Sequence, residues 1–165
     1  MADIVQKRPA ECSDDELEAF EGLVKEGGEV AVGGLHRRIK KAEWLVFLFE
    51  GDRTLAGVAA LKRPDDTYKK KVFRKARSPE PADNFTFEAG WIFVDEHFRG
   101  RKYSRILLEA VLALAGEKQV FATTRENNEP MRRTNLHCGL KESGSPYVSE
   151  EGDYSLVLYT RQSAC

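Results

Sequence analysis

The sequence predicts a mixed α+β fold built as a single domain over residues 1–165. Residues 44–49 are a continuous apolar run of strand length, which is typical of a strand buried on both faces. Residues 104–116 carry apolar side chains around nearly the whole circumference of a predicted helix, which is typical of a helix packed against a sheet. Along the chain, the predicted elements follow the order β-α-α-β-β-β-α-β-α-β-β, of which the first and sixth strands carry the weakest signals.

Two helices are predicted before the apolar run. The first begins after Ser13, because Ser13 and Glu16 have the spacing of a capping box, and Gly27 with Gly28 predicts its end. Its apolar side chains recur at helical spacing at Leu17, Phe20, Leu23 and Val24. The second helix is shorter and carries three apolar residues on one face, namely Leu35, Ile39 and Ala42.

The middle of the chain predicts a hairpin followed by a long connection. Residues 44–49 and 54–61 flank a Gly51-Asp52 turn, which is typical of paired strands. Residues 62–84 are polar, basic and contain proline, so we interpret them as an inserted connection with room for a short hairpin of its own. Residues 85–94 form the next predicted strand.

The last third of the chain alternates helices and strands. The helix over residues 104–116 has a thin polar stripe at Arg105 and Glu109. A strand over 120–123 follows, then a helix over 128–138 with Gly139 just past its end, and a last strand over 154–160.

Composition excludes several classes of protein. The chain is 41% hydrophobic and 32% charged, with a formal net charge of −1, which gives no overall attraction to nucleic acid or to an anionic membrane. Its three cysteines (Cys12, Cys138 and Cys165) are odd in number and far apart, which predicts neither a disulfide framework nor a metal site. A reducing, cytoplasmic location fits this cysteine usage best. No apolar run has the length of a membrane span.

Charge is nevertheless unevenly distributed along the chain. Residues 62–77 hold eight basic residues and two acidic ones, whereas residues 11–29 hold eight acidic residues and one lysine. One interpretation is that these two surfaces neutralise each other. Another is that Lys69, Lys70 and Lys71 attract an acceptor molecule that carries a negative charge. A third, based on Tyr68 and Phe73 among the basic residues, is RNA binding.

An anion site is predicted where a strand leads through a basic loop into the apolar helix. The loop is Arg99-Gly100-Arg101-Lys102-Tyr103-Ser104, and the helix follows at once. The first amides of a helix have no intrahelical partner and lie at the positive end of its dipole. A loop of this kind therefore offers a binding site for phosphate.

Together, three segments resemble the GNAT-type N-acetyltransferase superfamily. Residues 99–104 are similar to the acyl-CoA loop of that family, written R/Q-x-x-G-x-G/A, and residues 88–94 resemble its fourth strand. Residues 128–140 resemble the family segment that starts with Asn and ends in Gly-Phe. The resemblance implies a central, mostly antiparallel sheet of six to seven strands flanked by about four helices. It covers residues 44–160, and the first two helices more loosely.

The resemblance also implies a cofactor and its contacts. Acetyl-CoA would be the co-substrate, without a metal, and the loop residues Arg99, Gly100, Arg101, Lys102, Tyr103 and Ser104 would bind its pyrophosphate. Backbone groups of Phe93 and Val94 would hold the pantetheine arm. Asn128 matches the family's asparagine, which contacts the cofactor or caps the helix; capping alone would explain it equally well.

Two positions depart from the family pattern. Lys102 and Ser104 stand where the loop usually has glycines, which allow close approach of backbone to pyrophosphate. Lys102 either shows that the loop tolerates an outward side chain or uses its charge to hold phosphate. Asn135 stands where many members have a tyrosine that protonates the leaving thiolate, and an asparagine cannot donate a proton in this way.

Glu88 is the candidate general base. It lies six residues before Val94, so in a regular strand both side chains share a face. Burial makes a carboxylate a stronger proton acceptor, and an alkyl amine is only about one part in 10³ neutral at pH 7. The alternative is a glutamate at an exposed strand end, paired with a lysine.

These residues predict an acetyl-CoA-dependent N-acetyltransferase that transfers its acetyl group directly to a primary amine. The acceptor is left open among a small amine, an amino acid, an aminoglycoside-like compound and a protein N-terminus or lysine. Two alternatives are an acyl-CoA-binding module without turnover and an RNA-directed acetyltransferase. The sequence leaves open whether the protein is a monomer or a homodimer, and it predicts no membrane partner.

Overall fold

The computed structural model describes residues 2–161, so Cys165 lies outside the described residues. These residues form two compact units. The first comprises the chain up to Lys62 together with Ala89–Leu114, and the second comprises Arg63–Glu88 and the chain from Ala115 onward. Five α-helices and eight mostly antiparallel strands confirm the mixed α+β class, with one helix and one strand more than the resemblance implied.

The first unit is a meander of strands with helices packed on it. Its strands are β1 (Ala2–Lys7), β2 (Trp44–Glu50), β3 (Thr54–Lys62) and the C-terminal part of β4 (Phe87–Val94). Strands β1 and β2 pair antiparallel, as do β2 and β3, and β4 lies next to β3. Its helices are α1 (Asp14–Gly27), α2 (Leu35–Lys40) and α4, which runs from Tyr103 to Ala115.

The predicted helix ends of α1 are confirmed in detail. The side chain of Ser13 accepts a hydrogen bond from the Glu16 amide, and the Glu16 carboxylate accepts one from the Ser13 amide, at 3.1 and 2.8 Å. Gly28 ends the helix in the left-handed conformation, with φ of 70°. The Phe20 ring packs edge-on against Phe47 and Trp91, which fixes α1 on the strands of this unit.

The second unit holds the remaining elements. They are α3 (Asp66–Lys75), the first residues of β4, β5 (Val120–Arg125), α5 (Glu129–His137), β6 (Lys141–Glu142), β7 (Tyr147–Val148) and β8 (Ser155–Arg161). Phe87 and Glu88 of β4 pair in parallel with Val120 and Phe121 of β5. Strand β5 pairs antiparallel with β8, which also pairs with the two-residue strands β6 and β7.

The prediction for residues 62–84 is wrong in one respect. This segment contains the ten-residue helix α3 and a 3-10 helix at Ala82–Asn84 rather than a hairpin. No glycine or proline interrupts residues 65–78, and Val72, Phe73 and Ala76 recur at helical spacing and are buried. Phe73 packs against Phe85 and Phe121, with ring centroids 5.0 and 5.3 Å apart. In the sequence, the many lysines between these apolar residues obscure the helical pattern.

The basic and acidic segments find their partners locally. In the second unit, Lys70 pairs with Asp66 at 2.9 Å, and both Lys71 and Lys75 pair with Glu150. In the first unit, Glu16 pairs with Lys7, and Glu21 pairs with Lys25 and His36. Three of the eight basic residues of 62–77 therefore have an acidic partner within their own unit, and mutual neutralisation with residues 11–29 stays a prediction.

Candidate functional site

The 99–104 loop has the backbone of a glycine-rich turn although it contains one glycine. Gly100 has φ of 83° and Lys102 has φ of 61°, so two of its residues are left-handed. No atom lies within 4 Å of a Cβ built on Gly100, which leaves open space over the loop. The Lys102 carbonyl accepts from the Ile106 amide at 3.3 Å, so Lys102 caps α4 and the next amides lie at the helix N-terminus.

Two side chains of the loop are held by a residue of β2. Arg101 and the hydroxyl of Tyr103 both donate hydrogen bonds to the Glu50 carboxylate. These contacts, that of Tyr103 first, hold the pKa of Glu50 below its usual value. The guanidinium of Arg101 also lies 5.4 Å from the centre of the Phe98 ring. The side chain of Arg101 therefore attaches the loop to β2. The part of the loop that remains available to an anion is its backbone.

The left-handed backbone at position 102 is strained for a lysine. An L-residue in this conformation costs about 1–2 kcal/mol relative to the right-handed helix. We therefore expect Lys102→Gly to raise the free energy of unfolding by up to about 1 kcal/mol, after the greater flexibility of glycine in the unfolded chain is subtracted. Urea unfolding of both proteins measures this difference. A loss of stability would instead show that the exposed Lys102 side chain makes a stabilising contact.

Strand β4 is irregular where the sequence places Phe93 and Val94. Trp91 adopts φ of 51° within the strand, although its ring is buried and the Lys62 ammonium lies 4.3 Å from the ring centre. A left-handed residue interrupts the two-residue alternation of a strand. The regular strand from which a shared face of Glu88 and Val94 is predicted is therefore interrupted at Trp91. The Phe93 carbonyl lies 3.2 Å from a Cβ built on Gly57, so glycine there allows the close approach of β3 to β4.

Glu88 is the centre of a polar cluster in the second unit. It is 3% exposed, which excludes the alternative of a glutamate at an exposed strand end. The hydroxyl of Tyr68, on α3, donates to Glu88 Oε2 at 2.9 Å. Burial, and then the charge of Glu88, raise the pKa of Tyr68 well above its usual value. Burial and the same charge also raise the pKa of Tyr147, on β7.

Nothing in the sequence marks the two tyrosines as neighbours of Glu88. Tyr68 stands among basic residues, and Tyr147 lies on a two-residue strand with no sequence signal of its own. Within residues 2–161, no hydrogen-bond partner is found for the buried Tyr147 hydroxyl. The helical phase of α3 is the one signal that could have placed Tyr68, because Tyr68, Val72 and Ala76 lie four residues apart.

The two asparagines occupy different environments. Asn128 caps α5, since its side chain accepts from the Met131 amide at 3.2 Å. Asn135 is fully buried on α5 and donates to Thr124 Oγ1 at 2.9 Å. No partner for its Oδ1 is found among the described residues. The structure thus shows a capping role for Asn128 and a link from α5 to β5 for Asn135.

Two further observations concern metal binding and RNA binding. Residues 2–161 contain no group of three or more His, Cys, Asp or Glu side chains arranged to hold a metal ion. Phe73, one of the two aromatic residues behind the RNA interpretation, is 4% exposed and packed in the core, so its ring offers no surface on which a base could stack.

The fold is similar to those of several solved structures. An acyl-CoA N-acyltransferase from Pseudomonas aeruginosa is 15% identical, with a TM-score of 0.69 over 98% of this chain and 99% of that chain. Escherichia coli ElaA is 16% identical, with a TM-score of 0.68 over 98% and 100%. Arabidopsis thaliana NAA60, solved with a bisubstrate analogue, is 12% identical, with a TM-score of 0.68 over 96% and 97%.

One curated relative is a much longer protein. Mouse pleckstrin homology domain-containing family G member 2 is 28% identical over 149 residues, which is 86% of this chain. The chain spans 11% of the length of that relative.

The family itself is shown by a match along most of the sequence. The model of the acetyltransferase (GNAT) family matches residues 10–139, which include helices α1 to α5, strand β4 and the 99–104 loop. The chain therefore belongs to the GNAT acetyltransferase family.

Proposed function

We propose that this protein transfers an acetyl group from acetyl-CoA directly to a primary amine of an acceptor molecule. The observation that carries the proposal is the 99–104 loop, whose backbone is left-handed at Gly100 and Lys102 and which opens into α4 in a chain that belongs to this family. The acceptor is a small-molecule or peptide amine.

The loop and β4 would bind the cofactor in this proposal. The amides at the start of α4, with Gly100, Lys102 and Ser104, would hold the pyrophosphate, since a helix N-terminus stabilises an anion. Arg99 and Lys102 add positive charge, while Arg101 and Tyr103 brace the loop on Glu50. Backbone groups of Phe93 and Val94 would hold the pantetheine arm and polarise the acyl carbonyl. Acetyl-CoA supplies the thioester.

Glu88 would act as the general base. It would take the proton from the acceptor ammonium, directly or through a water, so that a neutral amine is present to attack. Its burial supports this role, because a carboxylate shielded from water interacts strongly with a cation. The thiolate would be protonated by water, since Asn135 carries an amide at the position of the usual tyrosine.

A second candidate function is acyl-CoA binding without turnover. The buried environment of Asn135 favours it, because this side chain is bonded to Thr124 and supplies no acid. Incubation with acetyl-CoA and a library of amines, followed by mass spectrometry, separates the two functions. A cytoplasmic location and a homodimer remain predictions. No helix within residues 2–161 combines the length and apolar character needed to cross a membrane.

Acetyl-CoA binding tests the loop without relying on activity. A ligand that binds only the folded protein stabilises it by about 2.7 kcal/mol at 100 times its Kd. We therefore expect saturating acetyl-CoA to raise the Tm by about 5–11 °C in differential scanning fluorimetry. Gly100→Asp should remove most of this increase, because a carboxylate would lie in the open space over the loop and repel pyrophosphate.

Gly116→Asp is the matched control. Gly116 follows α4, has φ of 61° and, like Gly100, has no atom within 4 Å of its built Cβ. Both substitutions impose the same kind of backbone strain, so the Gly116 variant should lose intrinsic stability and keep the shift caused by acetyl-CoA. An equal shift in both variants would contradict the assignment of the loop, and no shift in the wild type would contradict acetyl-CoA binding.

A further inference from the structure

Helix α3 is fixed against the start of β4, where Glu88 lies. The Lys69 ammonium donates to the Phe85 carbonyl at 2.8 Å, and the Phe73 ring contacts Phe85 with centroids 5.0 Å apart. Val72, Phe73 and Ala76 bury the apolar face of the helix in the core of the second unit. The position of α3 along β4 is thus set by contacts that do not involve Tyr68.

Tyr68 extends from this fixed helix to the carboxylate. Tyr68 as a whole is 40% exposed, and its hydroxyl donates to Glu88 Oε2 at 2.9 Å in a partly buried contact. Thr123, on β5, is a further hydrogen-bond partner of the Tyr68 hydroxyl. Since burial and the charge of Glu88 raise the pKa of Tyr68 well above its usual value, the phenol stays protonated and remains a donor throughout the working pH range.

We propose that Tyr68 is a positioning residue for Glu88, holding the carboxylate in one orientation. The proposal rests on the proposed function, in which Glu88 is the general base. A hydrogen bond from a neutral donor to an ionised carboxylate is stronger than one between neutral groups. Without this donor, the Glu88 carboxylate would lose the contact that fixes its orientation.

Two tyrosines on neighbouring elements respond to the charge of this carboxylate. Tyr68 of α3 and Tyr147 of β7 both have a raised pKa, to which the charge of Glu88 contributes after burial. Thr123 of β5 also contacts Tyr68. Tyr68 therefore keeps its proton near neutral pH and can donate it in the hydrogen bond to Glu88.

The test compares Tyr68→Phe with Tyr154→Phe. The Tyr154 ring lies under the Arg125 guanidinium at 3.8 Å, so its packing does not depend on its hydroxyl. We expect Tyr68→Phe to lower kcat about tenfold, the effect of losing one hydrogen bond to a charged group. The KM for acetyl-CoA should not change. The Tm should also stay close to that of the wild type, and Tyr154→Phe should match the wild type in all three measurements.

The outcomes separate this proposal from the proposed function. A wild type that acetylates no amine overturns the proposed function. An active wild type with an unchanged kcat in Tyr68→Phe overturns the role of Tyr68 alone. A lowered kcat accompanied by a raised KM for acetyl-CoA and a loss of Tm would show that Tyr68 only stabilises the fold and would also overturn the proposal.

Discussion

Replacing Glu88 with Gln should lower kcat by about 10²–10⁴-fold, the usual contribution of a general base. The acceptor amine is almost entirely protonated at pH 7, so turnover depends on a group that removes its proton. Gln keeps the shape of the side chain, and its amide oxygen can still accept the hydrogen bond from Tyr68, but it cannot take up a proton. The residual activity should rise with pH, because free hydroxide and neutral amine then replace the base.

Three measurements define this result. The kcat and KM values come from a steady-state assay of free thiol, the Kd for acetyl-CoA from calorimetry, and the Tm from thermal unfolding. Glu109→Gln is a suitable control, because Glu109 is exposed on α4 and its ion pair with Arg105 at 2.8 Å contributes little to stability. A parallel loss of acetyl-CoA affinity and Tm in Glu88→Gln would identify Glu88 as structural. An unchanged kcat would exclude it as the base.

The parts of the fold that sequence could predict are those with local signals. The capping box of Ser13, the glycine stop after α1 and the turn between β2 and β3 depend on residues close together in the chain. The 99–104 loop was likewise predictable, because the basic turn and the apolar helix are adjacent. The left-handed φ of Lys102 was not, since a lysine gives no indication of such a backbone.

The parts that sequence could not predict depend on contacts between distant residues. Helix α3 is amphipathic, but its apolar face is recognised only once Phe85 and Phe121 are seen to cover it. The two tyrosines that respond to the charge of Glu88 are 20 and 59 residues away from it in the chain, and no spacing rule connects them to it. The irregular backbone at Trp91 could not be predicted from the sequence either, because the strand propensity of tryptophan favours a regular conformation.

A network of hydrogen bonds, which we call the polar clamp, holds the chain just after α3. It consists of the side chains of Ser78, Glu80, Ser143 and Thr160. Glu80 Oε1 accepts from the hydroxyls of Ser143 and Thr160 at 2.6 and 2.7 Å, and the Ser143 hydroxyl lies 2.6 Å from that of Ser78. Beside this network, the Ser145 amide donates to the Ala76 carbonyl at 2.7 Å. The chain at Gly144 is thereby pressed against the backbone that follows α3.

Gly144→Ala should lower the free energy of unfolding by about 4 kcal/mol, at the upper end of what single substitutions cost. A Cβ at this position would lie 2.0 Å from the Ala76 carbonyl oxygen, a backbone atom that no side-chain rotation can move away. The φ of 79° adds the strain of a left-handed alanine. Because α3 is anchored by this clamp, the variant should also lose activity by displacing Tyr68.

Gly139→Ala separates the two causes. Gly139 also has a left-handed φ, of 91°, but no atom lies within 4 Å of its built Cβ. It should therefore cost only the backbone strain, about 1–2 kcal/mol. For a chain of this length, urea and thermal unfolding should then show a Tm loss of about 8–16 °C for the Gly144 variant and about 2–8 °C for the Gly139 variant. Equal losses would mean that the segments at Ala76 and Gly144 separate without cost, which the hydrogen bonds of the clamp argue against.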